Sequence, residues 1–422
     1  YLTPLAKLPG PRSSWLSSFI IYYEMLFEPT KDQTKKLHQR YGPIVRTGPK
    51  MVSVANPDMA RTIYMSYRFP KSPNYNAFKF HGDNIFATQY KKLITPAYSQ
   101  AAVASLESLV HEAGVTRLVN RLRKCADAGE SLDLMHTLQL MTFDVIGEIA
   151  FGRSFGMLET GTAHPIIEWI GDTTNLGMAV SIPSSLRISS SKYASHLHIV
   201  CNRVLICCMR QFARDAVRTR REQKNTTRRD TLQRLLEAVD EETGDRLTED
   251  ELISEAIVQI IAGTDTTATT MTWIMYLLHQ SPDCLDRLRA EINAAAPDLN
   301  VPITHTVVRE LPYLNAVISE SQRLRPIVPH GLVRNVPNEG ITLGGYHIPE
   351  GTTVAASIIV MQEDESVFPD ATVFKPERWL GKEDEVAAMK RSFMPFLVGP
   401  RACTGRVLAM MEMRLTIAEL IR

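Results

Sequence analysis

The chain has 422 residues, a formal net charge of +1 and a hydrophobic fraction of 44%. A near-neutral balance without charge runs excludes nucleic-acid binding through bulk charge, and this apolar fraction excludes a disordered chain. Six scattered cysteines (Cys125, Cys201, Cys207, Cys208, Cys284, Cys403) are too sparse for a disulfide framework and show no Cys-x-x-Cys zinc spacing. That usage points to a reducing, cytosol-facing location, where the Asn-Thr-Thr sequon at 225–227 stays unmodified.

No linker, repeat or low-complexity stretch interrupts the sequence, so a single domain over residues 1–422 is expected, although this exceeds the usual roughly 100–200 residues. No apolar run reaches the roughly 18–20 residues that would cross a bilayer. Residues 13–26 are amphiphilic and aromatic-rich, and read equally as a bilayer-surface helix or as a core helix with exposed ends. Residues 31–40 read as helix, 44–46 and 51–54 as a small hairpin, and Pro57 opens a short helix at its first turn. Helical stretches follow near 99–126, 135–151, 164–177 and 192–221, and the Ser/Pro-rich connectors at 69–86 and 179–191 are expected to be mobile lids. Residues 247–280 read as one long helix, with Thr248-Glu-Asp-Glu251 as a capping box and a mostly apolar stretch running on to Pro282. The segment 326–334 is expected to be extended, because proline disfavours helix at the residue before it. Residues 340–360 alternate as strands do, and 406–422 is expected to be an amphipathic helix. The pattern predicts a mainly α protein: a large helical domain with a minor β-sheet subdomain.

One loop carries the chemistry. Phe396-Leu-Val-Gly-Pro-Arg-Ala-Cys-Thr-Gly405 sets a single cysteine in a Gly-bounded turn just before a helix. A cysteine at a helix start meets unpaired N–H groups and the positive end of the helix dipole, which favour thiolate over thiol. Gly399 and Gly405 allow backbone close to a flat partner, and Arg401 adds a cation. Taken alone, Cys403 reads as readily as an inert buried cysteine.

The spacing Phe-x-x-Gly-x-Arg-x-Cys-x-Gly, filled by Phe396, Gly399, Arg401, Cys403 and Gly405, resembles the haem-binding loop of the cytochrome P-450 family. Three further segments match it in order. Glu320-Ser-Gln-Arg323 resembles the family's Glu-x-x-Arg motif. Phe374-Lys-Pro-Glu-Arg-Trp379 resembles its Pro-Glu-Arg-Phe element, with Trp379 in place of Phe. Ala262-Gly-Thr-Asp-Thr-Thr267 resembles its oxygen-binding groove.

The resemblance implies the cytochrome P-450 fold and haem b (iron protoporphyrin IX) with Cys403 as axial ligand. Small residues Ala262 and Gly263 would admit the haem face, and Glu320, Arg323 and Arg378 would form a structural triad. Asp265 and Thr266 would be the acid–alcohol pair that delivers protons; the alternative is threonine hydroxyls bonded back to helix carbonyls. His330 and Arg334 become candidates for the haem propionates, or are ordinary surface cations. Ile327, Val328 and Leu332, with Ile257 and Ile261, line an apolar pocket or belong to the core.

The activity so implied is monooxygenation: one oxygen atom from O2 enters an apolar or moderately polar organic substrate. No Gly-rich dinucleotide fingerprint is present, so electrons are expected from a separate NADPH-cytochrome P-450 reductase, with cytochrome b5 as a second donor. Arg401, Arg406, Lys390 and Arg391 are candidates for the reductase's landing patch. Two rivals are a haem-thiolate isomerase or dehydratase that needs no reductase, and a haem-binding sensor. The proline-rich opening, Leu2 to Pro11, resembles the hinge after the membrane anchor of fungal microsomal members. A monomer on the cytosolic face of the endoplasmic reticulum is expected, held by an anchor outside this chain. Two departures mark the pattern: the segment at 88–90 is shorter than in relatives, and only 19 residues follow Cys403, leaving out the family's terminal hairpin.

Overall fold

The hairpin expected at 44–54 forms from β1 (Ile44–Gly48) and β2 (Met51–Val54), antiparallel with Val45 opposite Ser53. β2 turns Val52 and Val54 inward in alternation, whereas Ile44, Val45 and Arg46 of β1 are buried in succession. The structure is a computed structural model that describes residues 4–11, 14, 30–79, 82–87, 91–167, 192–223 and 228–422. The predicted helix at 13–26, the connector at 179–191, the segment 88–90 and most of 164–177 lie outside the described residues.

The chain divides into two compact units, Tyr1–Pro73 with Ala316–Cys403, and Asn74–Asn315 with Thr404–Arg422. The first holds the strands. The two-residue β3 (Arg334–Asn335) lies ahead of the region predicted to alternate, and β4 (Ile341–Leu343), β5 (Tyr346–Ile348) and β6 (Thr353–Ala356) fall in it. A four-stranded sheet runs β1-β2-β6-β3, with β6 parallel to β2, and β4 and β5 pair as a separate hairpin. Its core gathers Val52, Val54, Ile63, Phe69, Ile348 and Val354, and the proline-rich opening docks on it through buried Leu5 and Leu8.

The helices Thr30–Tyr41 and Pro57–Tyr64 form where predicted, and Asn56 caps the second by accepting from the Asp58 and Met59 N–H groups at 3.0 and 3.1 Å. The connector at 69–86 contains a 3-10 turn, Pro73–Phe78. The segment 326–334 departs from expectation. It folds into a turn in which Gly331 N–H donates to the Val328 carbonyl at 3.2 Å, and only Arg334–Asn335 is strand. The reason is Gly331, whose φ of +63° reverses the chain at a point where a Cβ would meet the Tyr64 hydroxyl at 2.6 Å.

The second unit is helical. One of its two longest elements, Glu249–His279, starts with the predicted capping box: Glu251 N–H donates to Thr248 Oγ1 (3.3 Å), and Thr248 N–H donates to the Glu251 carboxylate (2.8 Å). It packs on the helix Leu134–Phe151, where a Cβ at Gly263 would approach Ile146 to 3.0 Å. The stretch predicted as helix over 99–126 is broken into Gln100–Ala104, Glu107–Val110, a π turn at His111–Val115, and Thr116–Ala128. The Ser105 hydroxyl donates to the Ala102 carbonyl (2.7 Å), and side-chain bonds of this kind compete with helix propagation. The last helix, Arg406–Ile421, is not amphipathic: Met411, Glu412 and Met413 are buried in succession, and Leu415 to Ala418 likewise. Three consecutive positions span most of a helical turn, so this helix is buried nearly all round.

Candidate functional site

In the first unit the cysteine loop is built by its own backbone. Cys403 N–H donates to the Phe396 carbonyl at 2.9 Å, and Ala402 N–H to the Gly399 carbonyl at 3.0 Å. Leu397 and Gly399 both take positive φ, +56° and +78°. A Cβ at Gly399 would strike the Tyr64 carbonyl oxygen. Glycine at 399 is therefore required by close approach of the loop to the end of the helix Pro57–Tyr64. The outcome is an exposed Cys403 on a closed turn. The helix that follows begins only at Arg406, with Gly405 as N-cap, so the cysteine stands two residues ahead of the cap rather than in the first turn. Arg401 folds back, donating to the Phe69 carbonyl and stacking on the Tyr67 ring, 5.2 Å from its centroid.

Tyr64 was not singled out from the sequence and organises the adjoining segment. Its hydroxyl donates to the Leu332 carbonyl (2.9 Å) and accepts from the Leu332 and Ala356 N–H groups (both 3.1 Å). Arg334 is 2% exposed, its guanidinium 5.5 Å from the Tyr64 ring centroid and one N–H on the Val333 carbonyl. A buried guanidinium keeps its charge and needs an anionic or carbonyl environment. It is no surface cation. Burial holds His330 below the ordinary imidazole range, so at neutral pH it offers an N–H rather than a charge. Ile327 and Val328 are exposed.

The predicted triad forms in the same unit and gains a member. Glu320 accepts from Arg323 at 2.9 and 2.7 Å, from Arg378 Nε at 3.1 Å, from Lys375 N–H at 3.1 Å and from Trp379 Nε1 at 2.9 Å. Arg323 spends its remaining donors on the Gln362, Ala371 and Val373 carbonyls. Trp379 thus supplies an indole N–H that phenylalanine could not.

In the second unit, Ala262, Asp265 and Thr266 form an exposed patch in the middle of the long helix, although residues 252–260 and most of 267–278 are buried. Ile257 is core, and Ile261 is half-buried at the edge of the patch. The Thr266 hydroxyl donates to the Ala262 carbonyl at 2.7 Å, the back-bonded alternative, as Thr264, Thr270 and Thr272 do to their own i−4 carbonyls. Partial desolvation pushes the Asp265 carboxyl above the usual range, against a 3.4 Å hydrogen bond from Gln139 Nε2 that favours its charged form. A carboxyl moved toward neutrality is a better proton carrier there.

Of the candidate landing cations, Arg391 pairs with Asp58 and Arg401 is turned to main-chain carbonyls, whereas Lys390 and Arg406 are exposed. Among the described residues no helix is long and apolar enough to cross a membrane.

The first unit holds a thiol on an exposed, backbone-locked turn, and the second a long, mostly buried helix with an exposed Asp–Thr step, the features the haem-thiolate resemblance leads one to expect of each. The family model for cytochrome P450 matches residues 8–422. The chain is 31% identical to tryprostatin B 6-hydroxylase of Neosartorya fischeri over 99% of this chain and 76% of that protein. It is 32% identical to averantin hydroxylase of Aspergillus parasiticus over 100% of this chain and 86% of that protein. Its fold matches the cytochrome P450DA heme domain with a TM-score of 0.86 at 20% identity, covering 98% of this chain and 90% of that one. The chain belongs to the cytochrome P450 family. It is a monooxygenase, an oxidoreductase that acts with a haem cofactor, a redox partner and a small-molecule substrate.

Proposed function

We propose that Cys403 would hold the iron of a haem b as its thiolate ligand, and that Asp265 and Thr266 deliver the protons of oxygen activation. The observation that carries this is the exposed Cys403 on a turn locked by its own N–H to the Phe396 carbonyl. Within the first unit the residues present fit the group: a reachable thiol, Cys403, and the buried cation Arg334. Bound haem supplies the activation of dioxygen and the transfer of one of its atoms to substrate.

The chain's own residues do the rest. Cys403 would hold the iron through its thiolate, a ligand that supplies electron density to it. Arg334 and Arg401 oppose the propionate charges, and His330 offers a hydrogen bond. The Thr266 hydroxyl rotates away from the Ala262 carbonyl to release its proton, and Asp265 replaces that proton from solvent. Glu320, Arg323 and Arg378 keep the loop's surroundings rigid without touching the reacting atoms. Electrons come from NADPH through a separate flavoprotein reductase, with cytochrome b5 as a second donor, on the cytosolic face of the endoplasmic reticulum. The names of the two hydroxylases support hydroxylation of a C–H bond as the reaction.

The deciding experiment is the reduced, carbon-monoxide-bound difference spectrum of the haem-loaded protein beside that of Cys403→Ser. A strongly red-shifted Soret band that vanishes in the variant is expected; an unshifted band with the cysteine intact overturns the ligand assignment. Product formed without NADPH or dioxygen would instead favour the isomerase or dehydratase reading.

A further inference from the structure

Both arginines assigned above to the propionates rest on one short stretch of the first unit, residues 64–71. Arg401 donates to the Phe69 carbonyl and stacks on the Tyr67 ring. Arg334 lies over the Tyr64 ring, its guanidinium 5.5 Å from the centroid and so within cation–π range. Its main chain forms a β-bridge with Lys71, and the next residue, Asn335, donates its N–H to the Pro70 carbonyl at 2.9 Å.

The ladder that carries Arg334 is short. β3 has two residues, which pair Arg334 with Val354 and Asn335 with Thr353 of β6. Ahead of it the chain is a turn reversed at Gly331. Where the ladder stops, the Tyr64 hydroxyl takes its place, donating to the Leu332 carbonyl at 2.9 Å and accepting from the Leu332 and Ala356 N–H groups at 3.1 Å each. A phenol has one donor and two acceptor positions, and all three are used on the backbone that enters β3 and ends β6. One buried side chain, 2% exposed, thus sets its ring against the Arg334 guanidinium and its hydroxyl on the main chain two residues earlier.

We propose that Tyr64 is a positioning residue for the haem: it fixes Arg334, and through that cation it tunes the reduction potential of the iron and the retention of the group. This inference rests on the haem-thiolate site proposed above. A nearby cation favours the less positive, reduced iron, so a fixed Arg334 raises the potential and a loosened one lowers it. Phenylalanine at position 64 keeps the ring but takes the hydroxyl from two main-chain N–H groups and a carbonyl.

The test compares haem-loaded wild type, Tyr64→Phe, Arg334→Gln and the double variant by redox titration and by haem transfer to apomyoglobin. Tyr64→Phe is expected to lower the potential in the same direction as Arg334→Gln and to release haem about tenfold faster. In the Arg334→Gln background it is expected to change neither quantity further, because its effect runs through the arginine. Gly331→Ala reaches the same hydroxyl from the turn, where the added Cβ would meet it at 2.6 Å, and is expected to shift the potential the same way. A merely structural Tyr64 would lower the melting temperature of Tyr64→Phe and leave the potential at its wild-type value. That result overturns the proposal, as do additive effects of Tyr64→Phe and Arg334→Gln. An unchanged potential in Arg334→Gln also overturns it, by removing Arg334 from the propionates. The carbon-monoxide spectrum of the same samples reports the Cys403 ligand separately, so a wild-type potential in Tyr64→Phe with an intact red-shifted band rejects the role of Tyr64 alone.

Discussion

Two regions of this protein handle polar groups in opposite ways. Around Glu320 every donor and acceptor is consumed inside the chain: two guanidiniums, an indole N–H and a main-chain N–H converge on one carboxylate that is fully buried. Along the long helix, Asp265 and Thr266 are exposed in a mostly buried stretch, and the buried Gln259 side chain makes no hydrogen bond. The difference teaches where function resides. A saturated ionic cluster cannot change its protonation or ligand without breaking, whereas an unsaturated row retains capacity for something from outside.

Removing the centre of the saturated cluster tests that contrast most severely. Glu320→Ala leaves Arg323 and Arg378 buried without their counter-charge and is expected to cost about 3–5 kcal/mol, seen in urea unfolding and in lost haem uptake. If Glu320→Ala folds and unfolds like wild type, the contrast fails.

Glu412 extends the comparison to a buried carboxyl without an ion pair. It is 4% exposed, its Oε1 has no hydrogen-bond partner, and burial pushes its pKa up to about 8. The unfolded chain gives up this proton near pH 4.5 and the folded one near 8, so folding stability falls as pH rises through that window and levels off above it. Relative to Glu412→Gln, wild type is expected to lose on the order of 3 kcal/mol between pH 5 and 8. Parallel pH profiles for the two proteins would show that Glu412 ionises normally.

On the open side, Thr266→Ala is expected to leave melting unchanged, because its hydroxyl only returns to its own helix, while product formation per NADPH falls about 10²-fold and peroxide is released. Asp265→Asn should slow turnover comparably without a loss of stability. Unaltered coupling in both variants would place proton delivery elsewhere. The smallest effect belongs to Trp379→Phe, which removes one N–H from a carboxylate that keeps four other donors; about 1–2 kcal/mol is expected in urea unfolding.

Much of this was legible in the residues. The capping box of the long helix, the hairpin at 44–54 and the Glu320 charge pair are local patterns, written within a few positions of one another, and local sterics and hydrogen bonding decide them. The cysteine loop was legible for the same reason, since Phe396 and Cys403 are seven positions apart and one hydrogen bond closes them. What was read differently depended on distant neighbours. The helix Arg406–Ile421 looked amphipathic but is buried nearly all round, because helices remote in sequence cover it. The 326–334 segment bends because Gly331 meets Tyr64, 267 positions earlier, and no periodicity records that encounter.

Sequence by itself determined the chemistry available: one thiol in a glycine-bounded turn, an acid beside an alcohol, and arginines spaced to meet a carboxylate. Only the tertiary structure decided which polar groups were closed off and which left open, because saturation depends on what the rest of the chain brings within about 3 Å. That is why Trp379 became the triad's fourth member, Arg334 became a buried cation rather than a surface one, and Gln259, silent in the sequence, was left with its hydrogen bonds unmade.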